Sequence, residues 1–429
     1  MAKSAHPLSI PAYRSYWLAR FASTLALNGM VVIIGWQVYD VARRTMPPRE
    51  AALQLGLIGL VQFLPLMLLT LVTGLVADRI DRRWIARGTA ALEMLCAAAL
   101  ALLTWFDLIN LPALFVIAAL LGVARAFAGP ALQALAPNLV PKAVLPAAIA
   151  VSSFAWQVGA IAGPPLGGYL YAIHPPLAYA VSAGLLALAT VMLLRIGPVP
   201  RAVITGAQRP WGQMMEGISY LRRNRLVLGA ISLDLFAVLL GGATAMLPIY
   251  ARDILHVGAS GLGHLRAAPA IGAAVVAIWL SRWPLHFNVG FKLLVAVGVF
   301  GAATILFGIS YRFPDPMALS LVCLALLGGA DMVSVYVRQT LIQLYTPDEM
   351  RGRVGAVSTL FISGSNELGE AESGFLAALV GPVTAVVAGG IGTIIVAVLW
   401  ARLFPEILRA RTFDPPTSFE TVPGQEKAA

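Results

Sequence analysis

Charge is scarce in this chain: only 12% of its 429 residues are Asp, Glu, Lys or Arg, while 59% are hydrophobic. An average soluble domain carries about 25% charged residues, so too little polar surface is present to coat a globule of this length, and the mean hydropathy of +0.82 agrees. Cysteine is nearly absent. Cys96 and Cys323 both fall inside apolar stretches, which argues against a disulfide framework and leaves them as packing residues. The histidines (His6, His174, His256, His264 and His286) are scattered, and no phosphate loop, nucleophile elbow or His-rich cluster occurs, so neither a metal nor a cofactor is expected. The net charge of +10 comes from basic residues in short clusters between apolar runs, not on one face, so nucleic acid is not an expected partner.

Long apolar runs fill the chain instead. They lie near 14–40, 51–77, 85–106, 112–136, 144–172, 176–196, 227–250, 262–281, 290–310, 317–339, 354–380 and 382–404. Spanning a bilayer takes roughly 17–25 residues, so about twelve transmembrane helices are expected. MAKSAHPLSIPAYRSYW enters the first run without a short apolar core and cleavage site, so that run is expected to stay as a helix. Few lysines and arginines lie in the gaps after odd-numbered runs (Arg43, Arg44, Arg49, Arg252, Arg312), and many lie at the termini and in the other gaps. The positive-inside rule then puts both termini and the 197–225 linker in the cytoplasm. That linker, rich in Pro, Gly and Arg, divides an amino-terminal six-helix bundle (1–196) from a carboxy-terminal one (226–404), followed by a cytoplasmic tail (405–429). Its WGQMMEGISYLRRN stretch reads as an amphipathic surface helix.

An internal repeat crosses the division. Leu120-Leu121-Gly122 recurs 206 residues later as Leu326-Leu327-Gly328, and the same offset carries Pro141 to Pro347, Gly163 to Gly369 and Gly168-Tyr169-Leu170 to Gly374-Phe375-Leu376. Single matches of small residues are weak, but an ungapped register points to two related halves of the same orientation, with a site near the midplane between them.

The densest charge interrupts the apolar pattern between the second and third runs: GLVADRIDRRW, with Gly74, Asp78, Arg79, Asp81, Arg82 and Arg83. A short hairpin between spanning helices would hold such a patch. Here the chain resembles the major facilitator superfamily over nearly its full length. The resemblance implies an all-helical membrane protein of two pseudo-symmetric six-helix bundles, in which Asp78 holds the outward-facing state with Gly74, Arg79, Arg82 and Arg83 around it. A carboxylate at a helix boundary suits that role, because it can face a helix N-terminus and accept hydrogen bonds. Arg125 and Gly129 in the fourth run are similar to the family's Arg-x-x-x-Gly motif. Gly159, Gly163, Pro164, Gly167 and Gly168 in the fifth are similar to its antiporter motif, although Ala150 stands where an upstream glycine is usual. ISLDLFAVLLGGATAMLPIYARDIL, GLGHLRAAPAIGA and SNELGEAESG look most like the drug/proton antiporter-3 branch, which includes bacterial macrolide and enterobactin exporters. That branch implies export from the bacterial inner membrane, by a monomer, of a small amphiphilic substrate against protons.

Acids inside apolar runs carry the coupling argument, since a charge at the bilayer centre costs about 2.5–3.5 kcal/mol on insertion scales. Asp234, Asp331, Glu367 and Glu370 are the candidates for proton coupling, and the offset pairs Asn28 with Asp234 and Arg125 with Asp331, so proton handling is expected in the second half. The competing reading of each acid is a fixed ion pair, Glu367 or Glu370 with Arg266, or Asp331 with Arg125. Glu93 and Glu372 are read as structural. Asn28, Trp36, Gln37, Phe127, Phe236, Met332 and Tyr336 are the expected cargo lining, apolar and aromatic, suited to amphiphiles. A lysophospholipid flippase of the same fold is the alternative. An intramembrane prenyltransferase is remote, because Asp78-x-x-Asp81 has no partner pair in the second half.

Overall fold

The computed structural model describes the backbone of residues 6–79, 81–141, 144–198 and 210–413; inside that set the side chains of 70–79 and of scattered positions, Glu367 among them, fall outside the description. Prolines and short polar side chains set where the helices begin. Proline stands in the first turn of α1 (Pro11–Arg43), α4 (Leu111–Leu135), α5 (Leu145–Ile173) and α6 (Pro175–Leu194), where its missing N–H is not needed. Asp81 caps α3 (Arg82–Trp105) by accepting from the Arg83 N–H at 3.0 Å, and Asn110 caps α4 by accepting from Ala113 at 2.9 Å. α2 (Pro48–Arg79) completes the first six.

The 197–225 linker contains α7 (Pro210–Arg223), as its amphipathic pattern predicts. α7 lies on another helix end: a Cβ at Gly217 would stand 2.9 Å from the Arg353 carbonyl, and Glu216 meets Arg353 at 2.5 Å. The second set contains α8 (Arg225–Leu240), α9 (Leu247–Ile249), α10 (Gly258–Arg282), α11 (Val289–Ile309), α12 (Pro316–Leu344), α13 (Asp348–Val380) and α14 (Pro382–Leu403), then a short α15 (Pro405–Arg409). Eleven spans among the described residues are long and apolar enough to cross a membrane, α8 to Ile254 counting as one. α13, with 33 residues, is long enough as well, at about 50 Å. Gly381 alone joins α13 to α14, at φ +91°, a conformation that favours glycine. Large apolar side chains such as Ile173, Phe154, Ile278 and Phe287 stand on the outside, the surface a lipid-embedded protein presents.

The two sets pack alike. α1 lies on α5, α2 on α4 and α3 on α6; in the second set α8 lies on α13, α10 on α12 and α11 on α14. The repeat is visible at single contacts, because Gly122 admits the Gln62 backbone of α2 as Gly328 admits the Pro269 backbone of α10.

The run at 227–250, which its hydropathy alone predicts to be one helix, is broken. α8 stops at the Gly241-Gly242 pair, a 3-10 turn follows over Ala243–Met246, and Tyr250–Ile254 forms a π turn after α9. Glycines favour the stop, and Pro248 lacks the donor needed to restore regular bonding. The start of the 405–429 tail packs on the second set: Ile407 of α15 is completely buried and the Gly290 N–H donates to the Ala410 carbonyl at 3.0 Å.

Glu406 ties α15 to the start of α8 through Arg225 at 2.8 Å. Its own backbone N–H, and beyond it the Arg225 guanidinium, hold its carboxyl below the usual carboxylate range. Because the folded value is the lower one, the pair's contribution is complete above the ordinary range and is lost as pH falls through the depressed value. Being partly exposed, it is worth about 0.2–1 kcal/mol. A thermal melt of Glu406→Gln should match wild type at acid pH and fall slightly below it at neutral pH; equal melts throughout would exclude the pair from stability.

Candidate transport pathway

The helices alternate in direction, so α7 and the ends of α6 and α14 mark one face, the linker face. The ends of α1, α5 and α13 mark the opposite, far face. Gly74, Asp78 and Arg79, the centre of the expected gate, have side chains outside the described set. The described part of the hairpin works within the first set. Asp81 holds the Arg83 guanidinium at 2.6 Å, and Arg87 donates to the Leu193, Leu194 and Ile196 carbonyls at 3.2, 3.2 and 2.9 Å. These arginines staple the start of α3 to the carboxy-terminal carbonyls of α6, a favourable place for a cation. Arg82 has a partner of its own.

In α5 the small residues divide between two neighbours. Gly159, Gly163 and Gly167 face α1, where an added Cβ would come within 2.8 Å of Thr24 Cγ2, 2.8 Å of the Leu25 carbonyl and 2.7 Å of the Gly29 carbonyl. Gly168 instead faces α10 of the second set, against the Ala259 carbonyl, and Gly263 of α10 returns the contact to the Pro164 carbonyl at 2.7 Å. Tyr169 and His264 share a 2.7 Å hydrogen bond along the same seam. A Cβ added at Gly129 would meet nothing within 4 Å among the described residues, so close packing there does not explain the glycine. Arg125 is exposed and partnered.

A second seam joins α2 to α13, where a Cβ at Gly56 would meet the Gly374 Cα at 2.9 Å. At the far face a charged clasp joins α1 to the π turn. Tyr39, fully buried, donates its hydroxyl to Asp253 at 2.6 Å; Arg43 meets Asp253 at 3.4 Å and Arg252 meets Asp40 at 3.0 Å. The Arg252 guanidinium also lies over the Tyr39 ring, 5.8 Å from its centroid. With Gly35 against Pro248 below them, these contacts join the two sets at the far face. The sequence reading missed the clasp. Its available signal was charge beside tyrosine at matching ends of the two halves, Tyr39-Asp40 with Arg43 and Tyr250 with Arg252-Asp253.

The carboxylates of the second half form two groups. Toward the far face Glu370 pairs with Arg266 at 3.6 Å, and Arg266 also donates to the Thr244 carbonyl at 3.0 Å. Arg266 thus satisfies a carbonyl in the break after α8 and draws Glu370 to it. Toward the linker face Asp234 and Arg338 form a buried ion pair, their side chains 7% and 3% exposed. Removing one partner of such a pair generally costs about 3–5 kcal/mol. Asp331 lines the same small cavity as Asp234, with Ala237, Val238, Ala296, Val297, Phe300, Ala330 and Ser334. Asp331 therefore stands near Asp234. Glu367 lies outside the described set. Glu93 is buried in α3.

The expected cargo lining is dispersed. Gln37 is buried within the first set, accepting from Tyr179 at 2.7 Å and donating to Thr104 at 3.1 Å. Phe236 packs on Trp400 of α14, ring centroids 5.2 Å apart, while the adjacent Ala237 and Val238 line the cavity. Helical phase was the missing information, because neighbours in sequence differ by about 100° around a helix. Asn28 bonds back to the Thr24 carbonyl at 2.9 Å, and Tyr336 packs edge-on against Phe413 at 5.9 Å. Trp36, Phe127 and Met332 are partly buried.

Two six-helix sets of matching packing, joined toward one face by glycine seams and a charged clasp, define a transporter of the major facilitator type. The profile of the transmembrane secretion effector family, a branch of that superfamily, matches residues 2–421, and the chain belongs to it. It is 30% identical over 417 residues to the enterobactin exporter EntS of Escherichia coli O1:K1, and 28% identical over 421 residues to that of Citrobacter koseri, covering 94% of each chain in both cases. In fold it is similar to a D-xylose–proton symporter, with a TM-score of 0.72 at 13% identity over 94% of this chain and 99% of that one. The protein is a multi-pass membrane transporter and not an enzyme.

Proposed function

We propose that the protein exports amphiphilic organic molecules of the siderophore or drug class from the bacterial cytoplasm by proton antiport, as a monomer with both termini and the linker cytoplasmic. The similarity to enterobactin exporters over 94% of both chains carries the choice of cargo class. The two bundles rock about their seams. In the state described here the far face, which the positive-inside rule makes periplasmic, is closed, and the acids of the second half lie behind it. Opening that face requires the clasp to part and the Gly56–Gly374 and Gly168–Gly263 seams to separate. Asp331, Asp234, Glu367 and Glu370 carry the coupling, and Asp78 with its neighbours gates the linker face.

The test is a liposome panel of catecholate siderophores, macrolides and lysophospholipids, with and without an imposed pH gradient. Gradient-dependent movement of a siderophore or macrolide supports the reading; lysophospholipid flipping that persists without a gradient, with no drug or siderophore moved, overturns it. Reporter fusions after Arg209 should report cytoplasm, and a periplasmic signal would reverse the assigned orientation.

The clasp gives a smaller effect. Its ion pairs are partly exposed and worth about 0.2–1 kcal/mol each, whereas the Tyr39 bond to a carboxylate is worth about 1.5–3 kcal/mol. Asp253→Asn weakens the Tyr39 and Arg43 contacts together and leaves the Arg252–Asp40 pair in place. The far face should open on the order of tenfold more often, read as faster labelling of a cysteine placed in the seam, and unchanged labelling would remove the clasp from gating.

A further inference from the structure

The linker-side charge cluster holds two acids and one base. Asp331, Ser334 and Arg338 recur at i, i+3 and i+7 on one face of α12, and Asp234 of α8 faces them. From α11 the cavity receives only Ala296, Val297 and Phe300, so no further charge enters there. Arg338 is 2% exposed and ion-paired to Asp234 through Nη1, and its Nε is buried with no hydrogen-bond partner among the described residues. Buried donors left without acceptors are rare, because their lost hydration is not replaced. Side chains on a helix lean toward its N-terminus, which directs Arg338 back along α12 toward Ser334 and Asp331. The residues that line the cavity with Asp331 are apolar save Asp234 and Ser334.

We infer that Asp234 and Asp331 share a single exchangeable proton, and that Arg338 is a positioning residue that swings to whichever carboxylate is ionised. With both acids ionised the cluster carries one net negative charge in a low-dielectric site; with one proton bound it is neutral. The cluster therefore takes up one proton and not two, and binding energy from cargo or from rocking shifts Arg338 between the two carboxylates. With Arg338 on Asp234, the shared proton belongs on Asp331 in this arrangement. The purpose of this exchange rests on the antiport reading, but its test does not.

The test is infrared titration of the full-length protein in nanodiscs, following the stretch of protonated carboxyl groups. Subtracting the Asp331→Asn spectrum from wild type should isolate one titrating carboxyl. Asp234→Asn should lack the same component although Asp331 is intact, because Arg338 then pairs permanently with Asp331. Independent acids would leave that component in Asp234→Asn, and this overturns the proposal, as does a wild-type spectrum from which Asp331→Asn removes nothing. Failure of Asp234→Asn to fold while Asp331→Asn folds also overturns it, since Arg338 would then have found no second acceptor. Should wild-type export prove indifferent to a pH gradient, the antiport reading falls and the shared proton is still decided by the spectra.

Discussion

Leucine in place of Gly263 should abolish transport and hold the far face open. An added Cβ at this position would stand 2.7 Å from the Pro164 carbonyl and 2.8 Å from the Pro165 Cα, both backbone atoms of the opposite set. Overpacking against movable side chains costs about 1–3 kcal/mol, but here no side chain can turn away, and the strain is relieved when the bundles separate at this end. A bias of about 5.5 kcal/mol carries a two-state equilibrium from one extreme to the other. The measurement is labelling of an Ala259→Cys variant by a membrane-impermeant maleimide in intact cells, with Ala259 8% exposed in the closed seam. Native Cys96 and Cys323, 3% and 1% exposed, should add little background. Labelling should be fast with Gly263→Leu and slow without it. Gly374→Leu tests the same idea at the other seam, where its neighbour is the Gly56 backbone. Slow labelling with normal turnover in both variants would mean that these seams do not part during transport.

What the sequence made legible follows physical period and length. Long apolar runs are unambiguous, so the spans were read to within a few residues, and the repeat register located Gly122 and Gly328, which do admit neighbouring backbones. Gly159, Gly163 and Gly167, four residues apart, share one face against α1, while Gly168 turns to the other half. A residue of helical phase separates its contact from that of Gly167, and no pattern within α5 says which partner lies on which side. Helical phase likewise sets Gln37 against Tyr179 and Phe236 against Trp400. The break after α8 was written in Gly241-Gly242 and Pro248, but hydropathy averages across it. The clasp was hidden because Arg43 and Arg252 were counted only as topogenic charges, and the pairing of Arg338 with Asp234 depends on two helices distant in sequence. A pairing of that kind needs the fold.

Amide substitution at Asp331 should abolish accumulation while sparing exchange. One pH unit across the membrane is worth about 1.4 kcal/mol per proton, enough for a tenfold gradient of a neutral cargo exchanged one for one. If Asp331 and Asp234 handle that proton, a bundle with either acid neutralised rocks without waiting for it, so cargo still crosses but equilibrates. In inverted vesicles under a one-unit gradient, wild type should approach tenfold uptake and Asp331→Asn should stop near unity with its counterflow retained. Glu370→Gln is the informative contrast. Glu370 pairs with Arg266, which also holds the Thr244 carbonyl, so if its role is to brace the broken helix, its loss should lower turnover in driven uptake and counterflow together. A coupling role for Glu370 would instead leave counterflow intact and remove accumulation alone. Full accumulation in Asp331→Asn, Asp234→Asn and Glu370→Gln together would exclude proton antiport through these three acids and leave them as the structural partners of Arg338 and Arg266.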